Sequence, residues 1–142
     1  MNYTRRDLSF VLSAATAALR DAAALNTALA SKTYRFDDLP VHASGANRSR
    51  PVLNGETHTG FPIELHETEL APGGVPHPPH HHVHEELLIV REGTLEVTIT
   101  GRSANLGPGS VAYVASNEEH GWRNVGSARA HYFVLALGRD GS

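Results

Sequence analysis

Five of the ten histidines fall in the run His77-Pro78-Pro79-His80-His81-His82-Val83-His84, and Glu85-Glu86 follow directly. His80 and His82 are two apart, so on an extended strand their rings share a face. Glu86 opens the apolar run Leu87-Leu88-Ile89-Val90, and a carboxylate entering a core needs a partner. A further candidate, His120, stands far downstream in Ser116-Asn117-Glu118-Glu119-His120-Gly121-Trp122. Imidazole nitrogens with one carboxylate suit divalent first-row metals: iron, manganese, nickel, copper or zinc. The chain has no cysteine, which excludes thiolate ligands, cysteine nucleophiles and disulfides.

Each of these residues also has a plainer reading. His80 and His82 can belong to a solvated histidine-rich loop, as is expected for His77, and His120 can be a turn residue. His81 and His84 are expected at the surface or beside the ligands. Glu85 or Glu119 is a candidate to fix the tautomer of a ligating ring. His84-Glu85-Glu86 begins like the zinc-protease helix motif but lacks its second histidine and lies in strand-like sequence. Neither a nucleophilic-serine elbow nor a phosphate-binding glycine loop appears in the sequence.

Ligands this far apart in sequence need a closed fold to bring them together. The chain has 142 residues, which suits one domain. Hydrophobic residues make up 40%, enough for a core, and thirteen glycines with eight prolines suit many tight turns. Strand-like segments run from Ile63 to Leu70, Glu86 to Val90, Thr94 to Thr100, Ser110 to Val114 and Ala130 to Leu137. In Thr94–Thr100 the alternation is clean: Leu95, Val97 and Ile99 point one way, Glu96 and Thr98 the other. The apolar run from Glu86 to Val90 fits a buried strand. Glycines separate the segments, as expected for an all-β sandwich or barrel.

Two spaced patterns resemble the motifs of the cupin family. The first is Gly74, five residues, His80, one, His82, three, Glu86, six, Gly93. The second is Gly109, five residues, Ala115, one, Asn117, two, His120, three, Asn124. Ala115 and Asn117 stand where the family has proline and glycine; asparagine tolerates the left-handed backbone that glycine adopts there. The resemblance covers about residues 64–137. It implies a jelly-roll β-barrel with a metal inside, held by His80, His82, Glu86 and His120, while Asn124 is expected to be a structural hydrogen-bonder. Iron or manganese is the expected metal, and Glu86 is the candidate catalytic base.

The expected function is therefore a metal-dependent oxidoreductase of the dioxygenase type acting on a small organic substrate. The alternative is a non-catalytic cupin module that binds a sugar or other small ligand. Tyr113, Trp122, His131, Tyr132 and Phe133 lie on or beside strands, and core packing is their expected role. His58, Arg48 and Arg50 can close over the barrel mouth, although a solvated loop is the expectation for them. A net charge of −3 argues against a nucleic-acid partner. A homodimer is expected by the same resemblance.

The first thirty residues differ in texture. A basic head, Arg5-Arg6, is followed by small and apolar residues and by Ala28-Leu29-Ala30. This is the layout of an export signal, and Thr4-Arg5-Arg6-Asp7-Leu8 resembles a twin-arginine motif. The competing reading is an amphipathic helix of the mature protein with Leu8, Leu12 and Leu19 on one face. The expected organisation is a signal at 1–30, helical if retained, an arm at 31–62 and a barrel at 63–138. The mature protein is then periplasmic or secreted and free of the membrane, or cytoplasmic if the signal stays. Tyr34–Phe36 and Val52–Leu53 are expected to be short edge strands of the arm.

Overall fold

Alternating side chains and frequent turn residues build two antiparallel sheets. A computed structural model describes residues 28–139. Nine strands run in order: β1 (His42–Ser44), β2 (Asn47–Glu56), β3 (Pro62–Leu70), β4 (Glu85–Glu92), β5 (Leu95–Ile99), β6 (Arg102–Leu106), β7 (Val111–Val114), β8 (His120–Asn124) and β9 (Ala130–Leu137). Among the described residues there is no α-helix; one 3-10 turn spans Phe36–Asp38. The helical signal segment expected at the N-terminus lies outside the described residues, except for Ala28–Ala30.

The larger sheet has the order β1-β2-β3-β9-β4-β7 and the smaller β6-β5-β8. They face each other across one core, which makes the all-β jelly-roll barrel. Leu70, Leu88, Val90, Leu95, Val97, Trp122, Tyr132 and Val134 fill it. The β5–β6 hairpin closes through Thr100 (φ 47°) and Gly101 (φ 76°), a two-residue turn whose backbone twist matches the strands.

Two glycines of the first motif are required by contact. A Cβ on Gly93 would meet Ala130 Cα at 2.7 Å, and its φ is +81°. A Cβ on Gly74 would meet Asn47 Oδ1 at 2.7 Å. Both lie where a loop crosses the end of a strand, so the backbone must pass close.

The arm differs from expectation. Val52-Leu53 fall inside the ten-residue β2, which pairs along β3 with a bulge between Pro51 and Leu53. Tyr34–Phe36 do not form a strand; Phe36 begins the 3-10 turn. Arg48 and Arg50 are strand residues rather than loop residues. They lie on β2 and reach Glu69 on the outer face of the large sheet, where Arg50 is buried. Arginine–glutamate pairing satisfies both buried charges, which is what admits them to a strand. His58 lies in the β2–β3 turn and is exposed.

Candidate metal centre

His80 and His82 are not on a regular strand. His80 forms a single antiparallel bridge to His120, with reciprocal backbone bonds of 3.0 and 2.9 Å, beside the edge of the small sheet. Pro79 packs on Gly121 of that edge, where a Cβ would meet the proline at 3.3 Å. His82 follows, its carbonyl accepting from the Asn117 N–H at 2.8 Å. Asn117 has φ 62°, the left-handed conformation expected of it. The second motif's turn thus ties down the first motif's histidines.

The three rings converge. Centroid separations are 5.1 Å for His80–His82, 4.7 Å for His80–His120 and 4.8 Å for His82–His120. Each ring offers one nitrogen within 4.8 Å of the others, a group that can hold a metal ion. Glu86 enters from β4, with Oε1 3.3 Å from His82 Nε2 and Oε2 3.3 Å from His120 Nε2. Of the sequence-predicted set, His80, His82 and His120 form one group, while Glu86 groups with His82 and His84 and also lies beside His120.

The backbone fixes two of the tautomers. His82 Nδ1–H donates to the His84 carbonyl and His120 Nδ1–H to the Glu118 carbonyl, each at 2.8 Å. A carbonyl only accepts, so the proton sits on Nδ1 and the Nε2 lone pairs face the cluster. Glu85 and Glu119, the candidates from sequence, do not do this; the carbonyls of their neighbours do. His82 Nε2, His120 Nε2, Glu86 Oε2 and His80 Nδ1 are buried without a hydrogen-bond partner. Orphaned polar atoms are costly inside a protein. Four of them converging fit a cation of the first-row divalent type. Burial pushes the His80 pKa down, and the neighbouring rings of His77, His120 and His82 push the same way. The lowering, which Glu86 opposes, favours the neutral ring, the form that ligates a metal.

Of the two positions expected for His84, the surface or beside the ligands, the structure shows the second. Its ring stacks on His82 at 3.6 Å between centroids, and its Nε2 lies 3.4 Å from Glu86 Oε1. His77 is exposed, yet its ring meets His80 edge-on at 4.2 Å. His81 is exposed. The spacing His82-x-His84-x-Glu86 was the one sequence signal available for His84.

The aromatic residues divide by strand alternation. Trp122 and Tyr132 point inward, and Trp122 stacks on His120 at 5.8 Å and meets Tyr132 edge-on at 5.8 Å. Burial pushes the Tyr132 hydroxyl pKa well up, so it stays protonated. Tyr113, Phe133 and His131 point outward, and Tyr113 is 55% exposed, against the expectation of core packing. A cavity of about 440 Å³ opens between the sheets, lined in part by His66, Thr68, His77, Trp122 and Tyr132. Asn124 is buried and purely structural in its bonds: it donates to the Leu70 and Ala128 carbonyls and accepts from the Gly126 N–H.

Comparison with known proteins agrees with this architecture. The model of the cupin domain family matches residues 66–136. No curated protein matches the chain by sequence. Among solved structures, an RmlC-like cupin from Shewanella frigidimarina superposes with a TM-score of 0.65 at 15% identity, covering 78% of this chain and 93% of that one. The polyketide cyclase RemF from Streptomyces resistomycificus gives 0.64 at 21%, covering 80% and 83%. A predicted oxalate decarboxylase from Thermotoga maritima gives 0.63 at 15%, covering 76% and 100%. At such identities these likenesses concern the fold.

Proposed function

The chain belongs to the cupin domain family, and we propose from that premise that it is a metal-dependent oxidoreductase of the dioxygenase type acting on a small organic molecule. The observation that carries the metal part is the grouping of His80, His82 and His120, whose buried nitrogens lack hydrogen bonds, with Glu86 beside two of them. Iron or manganese is the expected ion. When bound, it supplies Lewis acidity and a template for co-reactants at positions left open by four protein ligands.

The chain's own residues do the rest. The carbonyls of His84 and Glu118 hold the His82 and His120 rings in the ligating tautomer. Glu86 is the base: its carboxylate is ringed by imidazoles and can take a substrate proton while His84 keeps it in place. Trp122 and Tyr132 give the cavity an apolar wall against which a planar or ring-shaped substrate can lie. Solved structures of the same fold include proteins described as a cyclase, a predicted oxalate decarboxylase and a sugar phosphate isomerase, so reaction type must come from assay.

The deciding experiment is metal content by plasma mass spectrometry on protein purified without a histidine tag, beside a His82→Ala, His120→Ala variant. One equivalent of iron or manganese in the wild type, absent from the variant, supports the reading, and oxygen-uptake assays then follow. Metal without turnover of any small acid, sugar or aromatic would favour the binding-module alternative. No metal after reconstitution with iron, manganese, nickel and zinc would end the metalloenzyme reading and leave a metal-free binding barrel.

We also read residues 1–30 as an export signal, on the strength of Arg5-Arg6 and Ala28-Leu29-Ala30. Cleavage after Ala30 would release the Leu29 N–H bond to the Glu56 carbonyl. Mass spectrometry of the protein from its native cell decides this: an intact first residue refutes it.

A further inference from the structure

The large sheet has six strands and the small sheet three, so the inner face of the large sheet extends beyond its partner. Inward side chains of β1, β2 and β3 meet the cavity there, among them His42, Ser49, His66 and Thr68. Strand register arranges this face in rows, because Cα partners put their side chains on one side. Glu64 pairs with Ala136, and Ala136 with Glu86. Two residues on, His66 pairs with Val134, and Val134 with Leu88. Leu88 and Val134 are core residues, so both rows face inward. Glu64 therefore stands in the row of Glu86, about 10 Å from it across two strand spacings. Between them the row holds only the methyl group of Ala136.

Glu64 and His66 are joined. His66 Nδ1 lies 3.0 and 3.2 Å from the two Glu64 carboxylate oxygens. A carboxylate only accepts, so His66 Nδ1–H donates and the lone pair stands on Nε2. The ring is 33% exposed and lines the cavity. An ordinary surface ion pair would lie on an outer face; this one faces a cavity whose wall touches the histidine cluster. His77 and Trp122 line the same cavity, and their rings meet His80 and His120 at 4.2 and 5.8 Å between centroids. We propose that His66 is a second base of this site, and that Glu64 is its positioning residue. His66 takes the proton of a hydroxyl group on the substrate: the O–H bond breaks, the electron pair stays on oxygen and the proton moves to Nε2. The imidazolium so formed pairs with Glu64, the role a carboxylate has behind a catalytic histidine, and releases the proton to product or water. The cavity's lining suits a hydroxylated ligand, since it offers hydroxyls and imidazoles and no carboxylate. The assignment rests on the proposed function, in that the cavity must hold a substrate.

Two measurements test it. Long-range proton–nitrogen NMR correlation on the full chain reads the tautomer of His66 at about pH 8.5, where an ordinary histidine is neutral. The expected result is a proton on Nδ1 that moves to Nε2 in Glu64→Leu, because the acceptor that holds it is gone. A proton on Nε2 in the wild type, or a tautomer that Glu64→Leu leaves unchanged, overturns the proposal. The wild-type spectrum decides alone if the variant fails to fold. His66→Gln is then compared with wild type on the substrate that oxygen uptake identifies. Its kcat should fall about 100-fold or more at unchanged metal content, the usual contribution of a general base. Added imidazole should restore part of the loss, which a structural role would not allow. Wild-type kcat in that variant, with one equivalent of metal bound, overturns this assignment and leaves the metal reading intact. Metal without turnover fails the enzyme reading, and the second base with it.

Discussion

Which nitrogen of an imidazole carries its proton decides what the ring can bind, and for His82 and His120 the backbone makes that choice. Their Nδ1 protons are spoken for by carbonyls, so both Nε2 lone pairs are committed to the cluster. Glu86→Gln keeps the side chain's size but removes its charge. Metal affinity should fall by about 100-fold or more, measured by competition with a chelating dye. His84→Ala removes the ring stacked on His82 and beside Glu86. A loss of about 10-fold is expected for such a supporting residue. Equal losses in the two variants would make His84 a ligand in its own right. At the second motif, Asn117 stands in the left-handed region at φ 62°, where a Cβ without a polar side chain is disfavoured. Asn117→Ala should cost about 1 kcal/mol in urea unfolding, and Asn117→Gly much less. The spacing of both motifs made the gathering of His80, His82 and His120 legible in the sequence. The tautomers were not, because they depend on carbonyls that only the folded turns bring near.

Strand alternation was legible where one face is apolar and the other polar, as in Leu95–Ile99, and failed where both faces are apolar. Glu86 to Val90 reads as a buried strand, yet of its four apolar residues only Leu88 and Val90 enter the core. Leu87 and Ile89 belong to the outer face. β2 was hard to find for the opposite reason. Its outward Arg48 and Arg50 look like loop residues until Glu69 is known to lie across from them. That pairing yields a pH prediction. Burial acts to raise the Glu69 pKa, but the Arg50 guanidinium and His131 outweigh it and hold the carboxyl below its ordinary value of 4.5. A lowered folded-state pKa contributes stability above about pH 4.5 that is lost as pH falls further. Glu69→Gln should therefore cost about 3 kcal/mol near pH 6, where it leaves buried Arg50 without its carboxylate. The gap to wild type should narrow as the pH drops below about 4.5. Urea midpoints at pH 6 and pH 3.5 check both statements; a gap that is constant or widens in acid would contradict the assignment.

At the scale of the whole molecule, the histidine–glutamate cluster spans the two sheets that the apolar core also joins. His80 and His82 precede β4 of the large sheet, Glu86 lies on it, and His120 opens β8 of the small one. An ion held by all four would cross-link the two sheets through their shared interior. The unfolded chain cannot reproduce that arrangement, so binding free energy appears as folding free energy. At a free metal concentration of about 1,000 times the dissociation constant the gain is about 4 kcal/mol. For a domain of this size each kcal/mol is worth about 4 °C in melting temperature, so the holo protein should melt roughly 15 °C above the chelator-treated one. The His82→Ala, His120→Ala variant should melt at one temperature with or without metal. Differential scanning calorimetry at fixed protein concentration reads this without any assay of activity. A shift of equal size in the variant would mean that the ion binds elsewhere on the chain, for instance at the exposed His77 or His81. Absence of a shift in the wild type would mean that the four orphaned atoms are satisfied by something other than a metal.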